Sequence, residues 1–271
     1  MTIAFIGGGN MARALIEGLI RHGQAVEDIQ VIDINPAVAQ ALEQELSLTV
    51  LQSCDQLNLE QISTLVFAVK PQQLPSLAKG LGRLPKQLRV ISIAAGVTTH
   101  ALSQWLKGHN NIVRAMPNTP ALIGEGISGL YATSGVNQED KLGAQSLLSA
   151  VGSVIWVDHE TDLDAVTAVS GSGPAYFFWM MEEMQNIAQS LGLPQEIAQK
   201  LVLQTALGAT KLASQSPDTL PMLREKVTSK GGTTEAALTI LNQEHVAELL
   251  EKAILAARQK AEELGRTLSQ Q

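Results

Sequence analysis

Cysteine and aromatic residues are scarce in this chain, and each scarcity narrows what the protein can be. Cys54 is the single cysteine among 271 residues, so no disulfide can form within the chain and a cysteine-based zinc site is disfavoured. Aromatic residues make up 3% of the chain, so the core is expected to consist of aliphatic side chains. The histidines are scattered, with none at the i,i+4 spacing of a helical metal site, and we expect no bound metal.

Positive charge and long apolar runs are lacking as well. A formal net charge of −7 offers no electrostatic footprint for nucleic acid or an anionic membrane. The most apolar stretch, Ala165–Met181, is interrupted by two glycines and Pro174, so no run reaches membrane-spanning length. A strand-like run begins directly after Met1, without the basic region of a signal peptide. These absences predict a cytoplasmic protein.

The first 160 residues alternate short apolar runs with helical patterns. Runs that are apolar almost throughout are typical of parallel strands covered on both faces. The pattern therefore predicts an α/β domain, residues 1–160, with an open, doubly wound sheet. Strands are expected at Thr2–Ile6, Ile29–Asp33, Thr64–Val69, Arg89–Ile93, Ile112–Arg114, Ile127–Ala132 and Val154–Val157, and helices at Met11–Arg21, Pro36–Leu46, Thr98–Leu106 and Glu139–Val151.

After residue 160 the strand signals stop. Glycine and proline divide the remainder into helical segments, with Pro174 and Pro194 suited to helix starts. Residues 161–271 are therefore predicted to form an all-α domain. Its helices are expected at Asp162–Val169, Pro174–Gly192, Pro194–Ala213, Asp218–Val227, Thr233–Leu241 and Glu244–Leu264.

A glycine-rich turn follows the first predicted strand. It reads Gly7-Gly8-Gly9-Asn10-Met11-Ala12, a G-x-G-x-x-A pattern between a strand and a helix. Gly7 permits a tight turn, and Gly9 lets the backbone approach a diphosphate. The amides of Asn10 and Met11 lie where a helix start attracts an anion. The alternative is a glycine-rich turn without a ligand, but the strand–turn–helix context favours a dinucleotide.

The end of the second strand bears on which dinucleotide is bound. Asp33 lies where an acidic group bonds the ribose 2′-OH of NAD, although a plain loop carboxylate is the alternative. No arginine follows closely to meet a 2′-phosphate, while Asn35 and Ser53 are able to donate to one. The residues alone thus favour NAD.

Two more loops follow predicted strands at the carboxyl edge, where ligands of such sheets bind. Small residues and a proline there permit the flat approach of a ribose or nicotinamide, although Lys70 alone is ordinarily a solvated lysine. With Ile6 at the end of the first strand, these loops supply the remaining predicted cofactor contacts: Ala68, Val69, Lys70, Pro71, Ala94 and Ala95.

The helical half contains a second glycine-rich stretch, Gly231-Gly232-Thr233-Thr234, just before a helical pattern. Free amides at a helix start form a cradle for a carboxylate, and the two hydroxyls add donors. Ordinary helix capping is the alternative, and for this motif in isolation it is the more common case.

Taken in order, these motifs resemble the pyrroline-5-carboxylate reductase family. GGGNMA, AVKP, AAGVT, MPNTP, SGSGPAYFF and TSKGGTTEAAL follow the family's order and spacing from residue 1 to about 265. The resemblance implies a Rossmann-type domain and a C-terminal all-α dimerisation domain. It also implies self-association as a dimer or larger ring. One departure is Lys230, where the family usually has Pro, which places the rigidity of that loop in question.

The resemblance also implies a reaction, namely hydride transfer to the C5=N bond of 1-pyrroline-5-carboxylate, the last step of proline synthesis. It implies NADPH as the cofactor with NADH as the alternative, against the argument from Asp33, and it places Asn35 and Ser53 at the adenosine phosphate. The substrate carboxylate is expected on Gly231–Thr234. Thr234 is expected at the ring nitrogen, and Glu160 near the substrate.

Two other functions remain open. A reductase of β-hydroxy acids normally needs a lysine on the long helix after the boundary, and residues 174–192 contain none. A nucleotide sensor without turnover would not need the second, glycine–threonine ligand site.

Overall fold

The computed structural model describes residues 2–269 and contains one eight-stranded sheet in that range. The strand order is β3-β2-β1-β4-β5-β6-β7-β8, with β1 to β6 parallel, β7 antiparallel to β6, and β8 parallel to β7. The strands are β1 Ile3–Ile6, β2 Ile29–Ile32, β3 Thr49–Leu51, β4 Thr64–Phe67, β5 Arg89–Ser92, β6 Ile112–Met116, β7 Gly126–Ala132 and β8 Gly152–Trp156.

Helices cover both faces of this sheet, and alternate residues of each strand belong to two separate cores. Phe5 packs in one core with Leu15 and Ile16, whereas Ile6 packs in the other with Leu74 and Leu102. The chain order reverses between β1 and β4, which is the switch point where doubly wound sheets bind ligands. The helices of this part are α1 Asn10–Arg21, α2 Pro36–Leu46, α3 Leu74–Leu81, α4 Thr99–Trp105, α5 Gln138–Ser149 and α6 Asp162–Val166.

The predicted α/β fold class is confirmed, and two small elements were missed. β3 has only three residues, one of them exposed, so it gives no apolar run. α3 has Pro75 within its first turn and follows a second proline, Pro71, so its pattern resembles a loop. Each predicted strand is present, with its ends within two residues of those expected.

The chain forms two compact units. Among the described residues, the first contains 2–172 and 256–269, and the second is Gly173–Leu255. α6 lies in the first unit, where Leu163 is fully buried. The predicted domain boundary at residue 160 stays a prediction. The remaining helices are α7 Gly173–Ser190, α8 Gln195–Gln215, α9 Leu220–Lys226, α10 Thr233–Gln243 and α11 Val246–Ser269.

The second unit exposes large apolar side chains. Phe177 is 66% exposed, Phe178 63% and Trp179 59%, all on α7. In residues 2–269, no helix combines the length and the apolar character needed to cross a membrane. The apolar surface of α7 therefore calls for a protein neighbour.

Candidate active site

Two of the three glycines in the turn after β1, Gly7 and Gly9, differ in whether a side chain would fit at their position. Gly7 has φ +100, and a Cβ there would lie 2.6 Å from the carbonyl oxygen of Ala68, so no other residue fits without a shift of backbone. Gly9 has φ −65, and a Cβ built on it meets nothing within 4 Å. Gly7 is thus required by the fold, whereas the absence of a side chain at Gly9 leaves open space.

That open space lies at the N-terminus of α1. Gly9 is the N-cap residue and supplies no side-chain cap, and the first turn of α1 contains no acidic residue. The first bond of the helix runs from the Arg13 amide to the Gly9 carbonyl at 2.9 Å. Within residues 2–269 the amides of Asn10 and Met11 have no acceptor, which fits the diphosphate of a dinucleotide.

Asp33 stabilises this turn through its carboxylate. Its Oδ2 accepts a hydrogen bond from the Gly8 amide and its Oδ1 from the Asn35 amide, each at 2.8 Å. The carboxylate thus connects the glycine turn to the start of α2. Its predicted contact with a ribose 2′-OH stays a prediction. A cleft of about 240 Å³ lies beside these groups and is lined by residues including Gly7, Asp33 and Val69.

Asn35 and Ser53, the predicted phosphate donors, both cap local structure. Asn35 Oδ1 accepts from the Ala37 amide at 3.0 Å as the N-cap of α2, which leaves its amide NH₂ as the donor group. Ser53 Oγ donates to Asp55 Oδ2 at 3.1 Å, so a phosphate there would compete with a carboxylate. Of the two, Asn35 is the better placed donor.

The loops after β4 and β5 begin at the same sheet edge as the glycine turn. The Ala68 amide donates to the Ile6 carbonyl at 2.8 Å, while Lys70 is exposed and Pro71 opens a short turn. The loop after β5 contains Ala94, which is buried, and Gly96, whose φ is +77. The structure therefore brings the predicted cofactor residues Ile6 to Met11, Ala68 to Pro71, and Ala94 and Ala95 to one edge.

The end of this second loop is held by an ionic cluster that the sequence did not indicate. Glu160 accepts from the Thr99 amide and from the Thr99 hydroxyl, each at 2.7 Å, and from Arg114 Nη1 at 3.1 Å. Arg114 also lies 3.6 Å from Asp164, and burial raises the pKa of that carboxyl. The one sequence feature that could have pointed to this cluster is Arg114, a charged residue at the end of an otherwise apolar predicted strand. The predicted substrate contact of Glu160 stays a prediction.

The glycine–threonine stretch lies at the start of α10 in the second unit. Gly232 is its N-cap and offers no side-chain cap. The Gly231 amide donates to Glu235 Oε2 at 2.6 Å, and the Gly232 amide to the Ser229 carbonyl at 2.9 Å. Two of the four predicted amide donors are therefore engaged internally. Of these four residues, Thr233 and Thr234 are the two whose amides have no acceptor among residues 2–269.

The motif residue Asn118 has a structural role. Its Oδ1 accepts from the Ile127 amide at 2.9 Å, and its Nδ2 donates to the Ser170 carbonyl at 3.1 Å. Asn118 is buried and thereby ties the MPNTP loop to the SGSGP segment.

A doubly wound sheet with an uncapped, glycine-preceded helix at its switch point is typical of dinucleotide-binding domains. Residues 2–96 match the family described as NADP oxidoreductase, coenzyme F420-dependent. Residues 160–264 match the family described as pyrroline-5-carboxylate reductase dimerisation. The chain belongs to the pyrroline-5-carboxylate reductase family.

Individual relatives extend the match over nearly the full length. A pyrroline-5-carboxylate reductase of Pasteurella multocida is 44% identical over 97% of both chains. The structure of the Coxiella burnetii reductase shares 40% identity and a TM-score of 0.89, covering 97% of this chain and 98% of that one. A Plasmodium falciparum pyrroline carboxylate reductase with NADP bound is 27% identical with a TM-score of 0.85, covering 98% of each.

Proposed function

We propose that the protein reduces 1-pyrroline-5-carboxylate to L-proline by promoting the transfer of a hydride from NADPH to C5 of the substrate's C5=N bond, whose nitrogen is protonated. The observation that carries this proposal is the pair of free donors at the start of α10, Thr233 and Thr234, in a chain of this family that also has an uncapped dinucleotide turn. An oxidoreductase without a second ligand would not need that pair. We place the reaction in the cytoplasm, supported by the single cysteine.

The first unit supplies the residues that hold the cofactor. The amides of Asn10 and Met11 meet the diphosphate, and the space at Gly9 admits it. The side-chain NH₂ of Asn35 and the hydroxyl of Ser53 donate to the adenosine phosphate. Ile6, Gly7, Gly8 and the residues Ala68 to Pro71 line the ribose and diphosphate, while Ala94 and Ala95 lie against the nicotinamide. When bound, NADPH supplies the hydride.

The second unit supplies the residues that hold the substrate. The Thr233 and Thr234 amides take the carboxylate, with Gly231 and Gly232 shaping the turn through the positive φ of Gly231. The Thr234 hydroxyl meets the ring nitrogen, which hydrogen-bonds both as a protonated iminium and as the amine of the product. Protonation makes the imine a better hydride acceptor. The task of these residues is to orient the substrate and stabilise its charge.

Self-association accompanies this activity. The exposed apolar side chains of α7, together with the dimerisation-family match of residues 160–264, support a dimer built through the second unit.

The test is a spectrophotometric assay of NADPH oxidation with 1-pyrroline-5-carboxylate, run in parallel with NADH. We expect turnover with the imine, faster with NADPH, and none with a β-hydroxy acid plus NADP⁺. Binding of NADPH without turnover of the imine would favour a nucleotide sensor and overturn the proposal. Turnover of the hydroxy acid alone would identify the other reductase class.

A further inference from the structure

Glu160 closes the N-terminus of α4 with its carboxylate. Thr99 is the first residue of α4 and is separated from Glu160 by 61 positions in the chain, yet it donates both its amide and its hydroxyl to the two oxygens of Glu160. Thr98 completes the cap by accepting from the Ala101 amide at 3.2 Å. Unlike α1, α4 is therefore closed by the protein itself at its anion-binding end.

The carboxylate is itself fixed by a buried cation. Arg114, on β6, has 7% of its side chain exposed, and it contacts Glu160 at 3.1 Å and Asp164 at 3.6 Å. A buried guanidinium needs such partners, since an unpaired buried charge is strongly destabilising. The position of Glu160 is thus determined from two sides, by a helix start and by a charge in the sheet.

The segment between β5 and α4 is the loop predicted to face the nicotinamide. At its beginning, the Ile93 amide donates to the Phe67 carbonyl at 3.1 Å. In its middle, a Cβ on Gly96 would lie 3.2 Å from the Gly265 amide nitrogen, so the C-terminal helix already abuts the loop there. At its end stands Thr99. The loop is therefore in contact with other parts of the protein at its beginning, middle and end. Glu160 holds the end that leads into α4.

We propose that Glu160 is a positioning residue for hydride transfer, which holds Ala94 and Ala95 in register with the nicotinamide by binding Thr99. This inference rests on the proposed function. Loss of the bond lets the loop shift, and shifts of about 1 Å in a reacting geometry lower rates by up to about 100-fold. The anchoring of the diphosphate at α1 is separate and is expected to persist.

The experiment compares Glu160→Gln, Thr99→Val and Thr99→Ser with the parent full-length protein. We expect Glu160→Gln to lower kcat by about tenfold or more, with the KM for the imine and the Kd for NADPH within about threefold. The primary isotope effect with NADPH deuterated at the transferred position should rise, because hydride transfer becomes slower relative to other steps. Thr99→Val should change kcat and the isotope effect in the same direction, and Thr99→Ser, which keeps the hydroxyl, should restore both.

Asp140→Asn is the matched control. Asp140 pairs with the buried Arg89 at 3.0 Å, and Arg89 begins β5 at the opposite edge of the sheet. This variant should lose stability while its isotope effect stays at the parental value. If it raised the isotope effect equally, the effect of Glu160→Gln would be one of general stability and the inference would be overturned.

Other outcomes also distinguish the alternatives. A higher KM for the imine in Glu160→Gln, with kcat and the Thr99 variants unchanged, would place Glu160 at the substrate and refute a positioning role. If Glu160→Gln does not fold, the contrast between Thr99→Val and Thr99→Ser decides the question alone. A parent protein that binds NADPH but does not turn over the imine would refute the proposed function instead.

Discussion

Gly9→Val separates cofactor binding from folding at the glycine turn. The backbone at Gly9 has φ −65 and ψ 178, which any residue adopts, and a Cβ built there contacts nothing within 4 Å. We therefore expect the variant to fold with nearly parental stability. The two methyl groups of valine would instead fill the space that the diphosphate needs beside the amides of Asn10 and Met11.

The expected loss of affinity follows from the number of donors removed. A hydrogen bond to a charged group contributes about 1.5–3 kcal/mol, so losing two costs at least about 3 kcal/mol. That corresponds to an increase of more than about 100-fold in the Kd for NADPH. Calorimetric titration measures the Kd directly, and thermal unfolding without cofactor measures the stability of the same sample.

Gly7→Ala is the opposite case and serves as the control. A positive φ costs an L-residue about 1–2 kcal/mol, and the added Cβ would also press on the Ala68 carbonyl oxygen at 2.6 Å. We expect Gly7→Ala to unfold at a lower temperature than Gly9→Val. Parental NADPH affinity in Gly9→Val would refute the placement of the diphosphate, and a large drop in its unfolding temperature would refute the claim of open space.

Three further predictions concern other sites. Thr234→Val should lower kcat/KM by about 1–3 kcal/mol, since a polar partner loses its bond, and kinetics within twofold of the parent would remove Thr234 from the mechanism. Asn35→Asp keeps the cap on Ala37 but repels a phosphate, so the KM for NADPH should rise at least about tenfold while that for NADH barely changes; equal changes would exclude a phosphate contact. Burial lowers the pKa of His109 below 6.5, so protons bind the unfolded chain first and stability falls as pH drops below about 6.5. Urea unfolding at pH 7.5 and pH 5 should show a smaller fall for His109→Gln, and identical falls would contradict this.

The strands of the sheet could be predicted from the sequence because most of them are buried on both faces. β1, β4 and β5 have no exposed residue, so continuous apolar runs and strands coincide. β3 has a single buried residue and gives no comparable run. Elements at the edge of the fold are therefore the ones that local patterns miss.

The glycine turn after β1 was predictable for a different reason. Its shape depends on the backbone, and glycine spacing records backbone requirements directly, as Gly7 shows. Side-chain partners at long sequence separation leave no such record. The pairing of Glu160 with Thr99 and Arg114 spans three segments, and the engagement of the Gly231 amide by Glu235 depends on a rotamer. Neither contact could be predicted from the sequence.

The exposed apolar side chains of α7 are explained by the assembly of two chains. Four consecutive aromatic residues, Tyr176 to Trp179, come from a chain that is otherwise poor in them, and successive helical positions point about 100° apart. No single neighbouring helix can cover them all, and three of them are mostly exposed in one chain. Because burial of such surface contributes about 25 cal/mol per Å², a second copy is the natural source of the missing core. The stability of the second unit is then tied to dimer formation, and therefore to protein concentration.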